Sequence, residues 1–239
     1  MISVIITNYN KETYIKDTLN GLKHQIDKNF ELIFFDDNST DNSFNIAKSI
    51  LIKNKKYKFK ILKRKKKKSN FNSYNQISAI NHSIKYCSGD YVSLLDADDI
   101  FSKEKIKNLN KLIKKNEKKI FLNSYYILKN NKTFLNKRHF KIRKFIWPIF
   151  PPTSCITIEK KLFKKILKKI SFNKFPSCWL DFRLTVYLAK YHKNQIIYLK
   201  DKLTTYRKNN DGSDNIYTNI FSIHYWQRKY EAFMINIKI

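Results

Sequence analysis

Short apolar runs alternate with helical patterns through the first half of the chain, and this alternation constrains the fold more than any other feature. "ISVIIT" (residues 2–7) is a β-branched run that reads as a buried strand, and Tyr14, Ile15, Thr18, Leu19 and Leu22 then recur at helical spacing. "FELIFF" (30–35) is a second strand, and Phe44, Ala47, Ile50 and Leu51 mark a second helix, with Ser39 or Thr40 available as its cap. "FKIL" (59–62) and the helix marked by Ile77, Ile80 and Ile84 follow. "YVSLL" (91–95) comes next, before a helix marked by Ile106, Leu109, Leu112 and Ile113. Strands and helices at this spacing predict an α/β fold with a mostly parallel sheet covered on both faces.

In such sheets ligands bind beyond the carboxyl ends of the strands. The residues there are "TNYN" (7–10) after the first strand, "DDNSTD" (36–41) after the second and "DADD" (96–99) after the fourth. All are polar or acidic, and the topology sends them to one edge. The acids are conspicuous because the chain carries 49 Lys+Arg against 19 Asp+Glu, a formal net charge of +30. A divalent cation and a diphosphate between the two signs would reconcile them, since hard cations take carboxylate oxygens together with substrate phosphates. Two plainer readings stand beside this one: a solvated turn, or an acidic cluster at the start of a helix opened by Ser102. Asp36 and Asp37 carry a similar alternative, capping the second helix.

The second half is less regular. Residues 120–138 read as strand, turn and strand, and residues 146–158 carry three of the four prolines. Helices are expected over 159–169 and 181–190, "QIIYL" and "LTTYR" are expected as short strands, and the tail after Asp214 is aromatic with a helical pattern. No internal repeat and no Gly/Ser linker appear, which favours one domain over 1–212 with a helical tail over 213–239. Within it the regular stretch 1–100 and the less regular stretch 101–212 form two halves.

Several function classes lack support. No apolar run approaches a membrane span, and the N-terminus lacks the basic lead of a signal peptide. Cys87, Cys155 and Cys178 are scattered with no CxxC pair, which argues against a disulfide framework or zinc site and for a reducing, cytoplasmic setting. His24, His82, His139, His192 and His224 show no ligand spacing. No GxGxxG, P-loop or GxSxG occurs. The lysines are spread throughout without a nucleic-acid signature, so nucleic acid is not an expected partner. The basic run "KRKKKK" (63–68) reads as a solvated loop or a membrane-surface patch, and the apolar, aromatic and basic tail either lies in a membrane interface or packs on the domain or a partner chain; together they make peripheral membrane contact, at the inner face of the cytoplasmic membrane, a reasonable expectation.

Three stretches, "SVIITNYNKETYIKDTLNGLKHQ", "FELIFFDDNSTDNS" and "NHSIKYCSGDYVSLLDADDIF", resemble in order and spacing the family 2 glycosyltransferases of the GT-A fold. The resemblance runs from about residue 2 to 207 and is densest over the first hundred. It implies a Rossmann-like sheet flanked by helices and an inverting, metal-dependent sugar transfer from a nucleotide-diphosphate donor, UDP-linked in the first instance. It also implies that residues 1–100 are a nucleotide-binding half and residues 101–212 an acceptor half. The acceptor would be a glycan or a lipid-linked molecule of the cell envelope. Thr7 and Tyr9 match the loop that holds the nucleotide base, and Asp37 matches the acid on a uracil-type base. Asp96 and Asp98 match the DXD pair: Asp96 near the ribose, Asp98 on the Mn²⁺ or Mg²⁺ that bridges the diphosphate. Asp99 supports them. "CWLDFRLTVYLA" (178–189) matches the segment carrying the catalytic base, Asp181, with Leu180 where the family has Glu and with Trp179 either against the substrate or in the core. "TTYRKNNDGSDN" (204–215) resembles the family's "YR" segment, which makes Arg207 a diphosphate contact or a surface ion pair. Asn75 and Ile80 stand where the family commonly has Gly and Arg, and Asn209 where many members have His. The alternatives are a nucleotide-sugar-binding protein that has lost the chemistry, and a nucleic-acid-binding protein. A second copy of the chain, giving a homodimer, is a further candidate partner.

Overall fold

The structure, a computed structural model, describes residues 1–65, 69–135, 150–170, 174–208 and 219–238. Four strands, β1 (Ile2–Asn8), β2 (Phe30–Asp36), β3 (Lys58–Lys63) and β4 (Tyr91–Asp96), alternate with α1 (Glu12–Lys23), α2 (Ser43–Ile52) and α3 (Asn72–Ser83). Next come β5 (Ile100–Phe101), α4 (Lys105–Lys115), β6 (Ile120–Lys129), β7 (Lys132–Leu135), β8 (Ile156–Glu159), α5 (Lys160–Ile170), α6 (Leu180–Tyr191), β9 (Ile196–Arg207) and α7 (Ile223–Lys238). The sheet runs β3-β2-β1-β4-β8-β6-β9-β5, with β7 beside β6. The first four strands are parallel, whereas β8 pairs antiparallel with both β4 and β6.

The inner parallel strands β1, β2 and β4 are largely apolar on both sides because both sides are covered, whereas the edge strand β3 carries exposed lysines at Lys58, Lys60 and Lys63. Ile2, Val4 and Ile6 of β1 face α1, α2 and α4, and Ile5 faces the layer built by α3, α5, α6 and α7. At the amino edge, buried Glu31 accepts hydrogen bonds from Ser3 Oγ (2.6 Å), Ser88 N (2.6 Å) and Gly89 N (3.2 Å), which ties the turn into β4 to β1 and β2. Cys87, Cys155 and Cys178 are free and buried, and burial pushes each thiol up to about 12.

Glycine is scarce, with 3 in the chain, so asparagine takes left-handed backbone positions at Asn10, Asn38, Asn130 and Asn131. The last two form the two-residue turn between β6 and β7, where Lys129 pairs with Lys132.

Three local expectations change. Helix α4 starts at Lys105, not near Ser102, because Ile100 and Phe101 pair with Thr205 and Thr204 of β9 and Ser102 N donates to Leu203 O (3.0 Å). The acids at 96–99 therefore lead into a strand, not a helix. "QIIYL" and "LTTYR" are parts of one continuous strand, β9. Helix α2 starts at Ser43, whose N–H donates to Asp41 Oδ1 (3.0 Å); Ser39 instead donates to Asp36 Oδ1 (2.6 Å). Capping falls to Asp41, which leaves Asp36 and Asp37 other partners. Helix α7 is built into the core through Ala232 and Ile235. The lysines at 66–68, residues 136–149, His139 and Asn209 lie outside the described residues.

Gly89 permits the closest approach at the amino edge: a Cβ there would lie 2.7 Å from Met1 O and 2.8 Å from Ser3 N. Gly89→Ala is expected to cost about 1–3 kcal/mol, measured as a lowered denaturation midpoint in urea. An unchanged midpoint would show that this turn does not set the position of β4.

Candidate functional site

Strand register builds the site. Thr7 sits between Phe35 and Asp96, Asn8 is opposite Asp36, and Asp36 is opposite Lys63, so four strands end together on one edge. Buried Asn8 binds the ends of β1 and β2: its Nδ2 donates to Asp36 Oδ1 (2.8 Å), Ser43 Oγ (2.9 Å) and Ser39 Oγ (3.1 Å). The loops after β1 and β2 also hold each other. Thr40 N donates to Asn10 Oδ1 (2.8 Å), Glu12 N to Asp41 Oδ2 (2.9 Å) and Asn42 N to Glu12 Oε2 (3.0 Å). Much of "TNYN" and "DDNSTD" therefore shapes the rim. Asp37 projects from it as a buried carboxylate, 3.2 Å from Arg64 Nε, and Tyr9 lies half-buried in the first loop.

The acids after β4 differ in surroundings. Asp96 accepts from Gln76 Nε2 (2.7 Å), and its backbone N–H donates to Ser154 Oγ (2.9 Å). Burial, then the charges of Asp99, Asp98 and Asp181, hold its carboxyl well above the ordinary range, opposed by Lys11. This places Asp181 within electrostatic reach of Asp96, from the first turn of α6, where Phe182 N donates to Asp181 Oδ1 (2.8 Å). Asp98 pairs with Lys11 Nζ at 2.6 Å. Asp99 is fully buried and accepts from Arg207 N (2.8 Å); burial and Asp98 push it up to about 8. Beneath it Lys105 is buried as well, donating to Ser154 O (2.6 Å) and Thr204 Oγ1 (3.0 Å), and burial lowers it to about 7.

Arg207 braces this loop. Its Nε donates to Asp98 O (2.9 Å), its Nη2 pairs with Asp17 (3.0 Å), and its guanidinium lies over Tyr14. Trp179 packs beside Phe150 and beneath the Arg228 guanidinium, 4.2 Å from its ring centre. Leu180 is fully buried in the core. Asn75 clamps the loop before α3, accepting from Ser69 N (3.0 Å) and donating to Ser69 O (2.6 Å), while Ile80 is core.

The site therefore gathers Thr7, Asp37, Asp96, Asp98, Asp181 and Arg207 at one edge, with Tyr9 in its first loop. It adds Lys11, Arg64, Gln76, Lys105 and Ser154, which the sequence reading missed. Lysine is too common in this chain for Lys11 or Lys105 to stand out, and only the long-range fold brings Ser154 under Asp96. Among the described residues no group of three or more His, Cys, Asp or Glu side chains is arranged to hold an ion. The oxygen donors fit a hard cation that draws its remaining ligands from phosphates, and Asp98 already holds a cation, the Lys11 ammonium.

The family model for glycosyl transferase family 2 matches residues 3–185. The chain belongs to glycosyl transferase family 2. An uncharacterized glycosyltransferase of Mycoplasma genitalium is 30% identical over 221 residues, 91% of this chain and 62% of that protein. WfgD of Escherichia coli, a UDP-Glc:alpha-D-GlcNAc-diphosphoundecaprenol beta-1,3-glucosyltransferase, is 29% identical over 135 residues, 55% of this chain and 48% of its own. The chain spans less than two thirds of the length of these relatives. Staphylococcus aureus TarS, solved with UDP-GlcNAc, superposes with a TM-score of 0.68 at 22% identity over 89% of this chain and 59% of that one. The mannosyltransferase PcManGT of Pyrobaculum calidifontis, solved with GDP-Man and Mn²⁺, gives 0.64 at 14% over 100% of this chain and 64% of that one. These neighbours establish the GT-A fold.

Two expectations follow from the site's charges. Lys11→Met is expected to raise Mn²⁺ affinity in the absence of nucleotide by about fivefold, because a partly buried ion pair worth about 1 kcal/mol no longer has to open; calorimetric titration reads this, and unchanged affinity would contradict it. The second concerns pH. Asp99 titrates near 4 when unfolded and near 8 when folded, so between these values the folded state holds the extra proton. That stability is complete below about pH 4 and is lost as pH rises through 8. Asp99→Asn should therefore flatten the fall in melting temperature of the metal-free protein between pH 5 and 8; an equal fall in both proteins would contradict it.

Proposed function

We propose that the protein is an inverting, metal-dependent glycosyltransferase that moves a sugar from a nucleotide-diphosphate donor, UDP-linked, to a hydroxyl of a glycan or lipid-linked acceptor of the cell envelope. The observation that carries this reading is the convergence of Asp37, Asp96, Asp98 and Asp181 on one sheet edge, within a family 2 chain. UDP is favoured because TarS was solved with UDP-GlcNAc and WfgD is named for a UDP-Glc donor. WfgD is also named for a diphosphoundecaprenol substrate, which favours the lipid-linked class.

In this reading Thr7, Tyr9 and Asp37 bind the base, and Arg64 fixes the Asp37 carboxylate. Asp96, held by Gln76, lies near the ribose. Asp98, released from Lys11, and the donor phosphates would hold Mn²⁺ or Mg²⁺, which would supply positive charge against the charge developing on the departing diphosphate. Arg207 keeps the loop carrying Asp98 in place, and its remaining guanidinium N–H groups would meet the diphosphate. Asp181 accepts the proton of the acceptor hydroxyl as that oxygen bonds the anomeric carbon from the face opposite the leaving group. The sugar–phosphate C–O bond breaks, the configuration inverts, and the nucleoside diphosphate leaves with the electron pair.

Asp181→Asn separates chemistry from binding. Nucleotide affinity is expected to stay within about threefold, while nucleoside diphosphate release from the sugar donor falls about 10²–10⁴-fold. Retained turnover in this variant would remove Asp181 as the base.

A further inference from the structure

Helix α7 buries two charged residues, Arg228 (3% exposed) and Glu231 (4%), beside its core residues Ala232 and Ile235, whereas surface helices normally bury apolar residues and expose polar ones. Both buried groups are held. Glu231 accepts from Ser177 N (2.8 Å), Ser177 Oγ (2.5 Å) and Gln227 Nε2 (3.1 Å), and Arg228 stacks on Trp179. The helix is thus fixed in this rotation. Its outer face carries Ile223, Trp226, Tyr230, Phe233 and Ile237, 46–79% exposed. The spacing of three and four residues makes them a single stripe along the whole helix.

Helix α5 supplies a complementary feature. Its sequence, KKLFKKILKKI, contains no acid. Leu162, Phe163, Ile166, Leu167 and Ile170 are buried, and Lys161, Lys164, Lys165, Lys168 and Lys169 are exposed. Lys238, at the end of α7, reaches Lys174, four residues beyond the end of α5, and lies 5.1 Å from the Phe175 ring centre. The apolar, aromatic stripe therefore ends near the segment that follows a cationic helix.

We infer that α7 and α5 form a docking surface for an anionic lipid membrane, with the α7 stripe entering the interface and the α5 lysines facing the lipid headgroups. Trp and Tyr suit this boundary because each has an apolar body and a polar handle. Charge selects the lipid surface over a second copy of the chain: a dimer would bring together two bodies of formal charge +30, whereas an anionic bilayer attracts each lysine near it. Among the described residues no helix is long and apolar enough to cross a membrane, so the mode is interfacial. The inference does not depend on the sugar-transfer reading, and its test involves no turnover.

The test is flotation of the full chain with phosphatidylglycerol–phosphatidylcholine vesicles and with phosphatidylcholine vesicles alone, at low and high salt. Binding to the anionic vesicles is expected, weakened by salt. The double variant Trp226→Glu/Phe233→Glu should lower it about tenfold or more, as should Lys→Gln changes at 164, 165, 168 and 169. Trp226→Phe guards against misfolding of those variants: brominated lipid should quench wild-type tryptophan fluorescence, and the quenching should largely disappear in this conservative variant. Absence of wild-type binding at low salt, or equal binding by the Glu variant, would overturn the inference. So would a solution dimer that the Glu variant breaks while no flotation is seen, which would assign the stripe to a second copy.

Discussion

Asp96, Asp98 and Asp99 repel one another in a place where burial weakens the screening of water. The surrounding fold is arranged around that repulsion. Lys11 neutralises Asp98, the Arg207 backbone and side chain hold the loop, and Lys105 lies beneath Asp99. Burial raises the Asp96 and Asp99 carboxyls, and Asp99, pushed up to about 8, relieves part of the repulsion by keeping its proton. A cation that arrives with a ligand would take over from the Lys11 ammonium and the proton that now offset these acids.

Position comes from the parallel sheet. One register places Thr7 beside Asp96 and Asn8 beside Asp36, so a shift of one residue would move the binding groups and the core faces together. The amino edge contributes from the far side, where Glu31 and Gly89 lock the entry to β4. Helix α6 then brings Asp181 toward the same carboxyl edge. The core side of that helix is apolar, and Leu180 belongs to it, which leaves Asp181 as the acid of its first turn.

The parallel half was legible because each strand is a β-branched or aromatic run and each helix repeats its apolar positions. The acidic loops were legible because acids are rare in this chain. What escaped the sequence depends on distant partners. Strand β5 has two residues and owes its pairing to Thr204 and Thr205. The brace from Arg207 to Asp98 joins residues |i−j| = 109 apart. Gln76 and Ser154 carry no local mark of their contacts with Asp96. The tail read correctly as helical and aromatic, but its rotation, with Arg228 and Glu231 inward, is set by Ser177 and Trp179.

The central claim is that Asp98 is where a cation joins a nucleotide to the protein. The most direct measurement is calorimetric titration with UDP, GDP and dTDP, each with and without Mn²⁺, on the wild-type chain and on Asp98→Ala. The account predicts metal-dependent binding of UDP that Asp98→Ala abolishes. Binding that ignores the metal, or that survives Asp98→Ala unchanged, would contradict it.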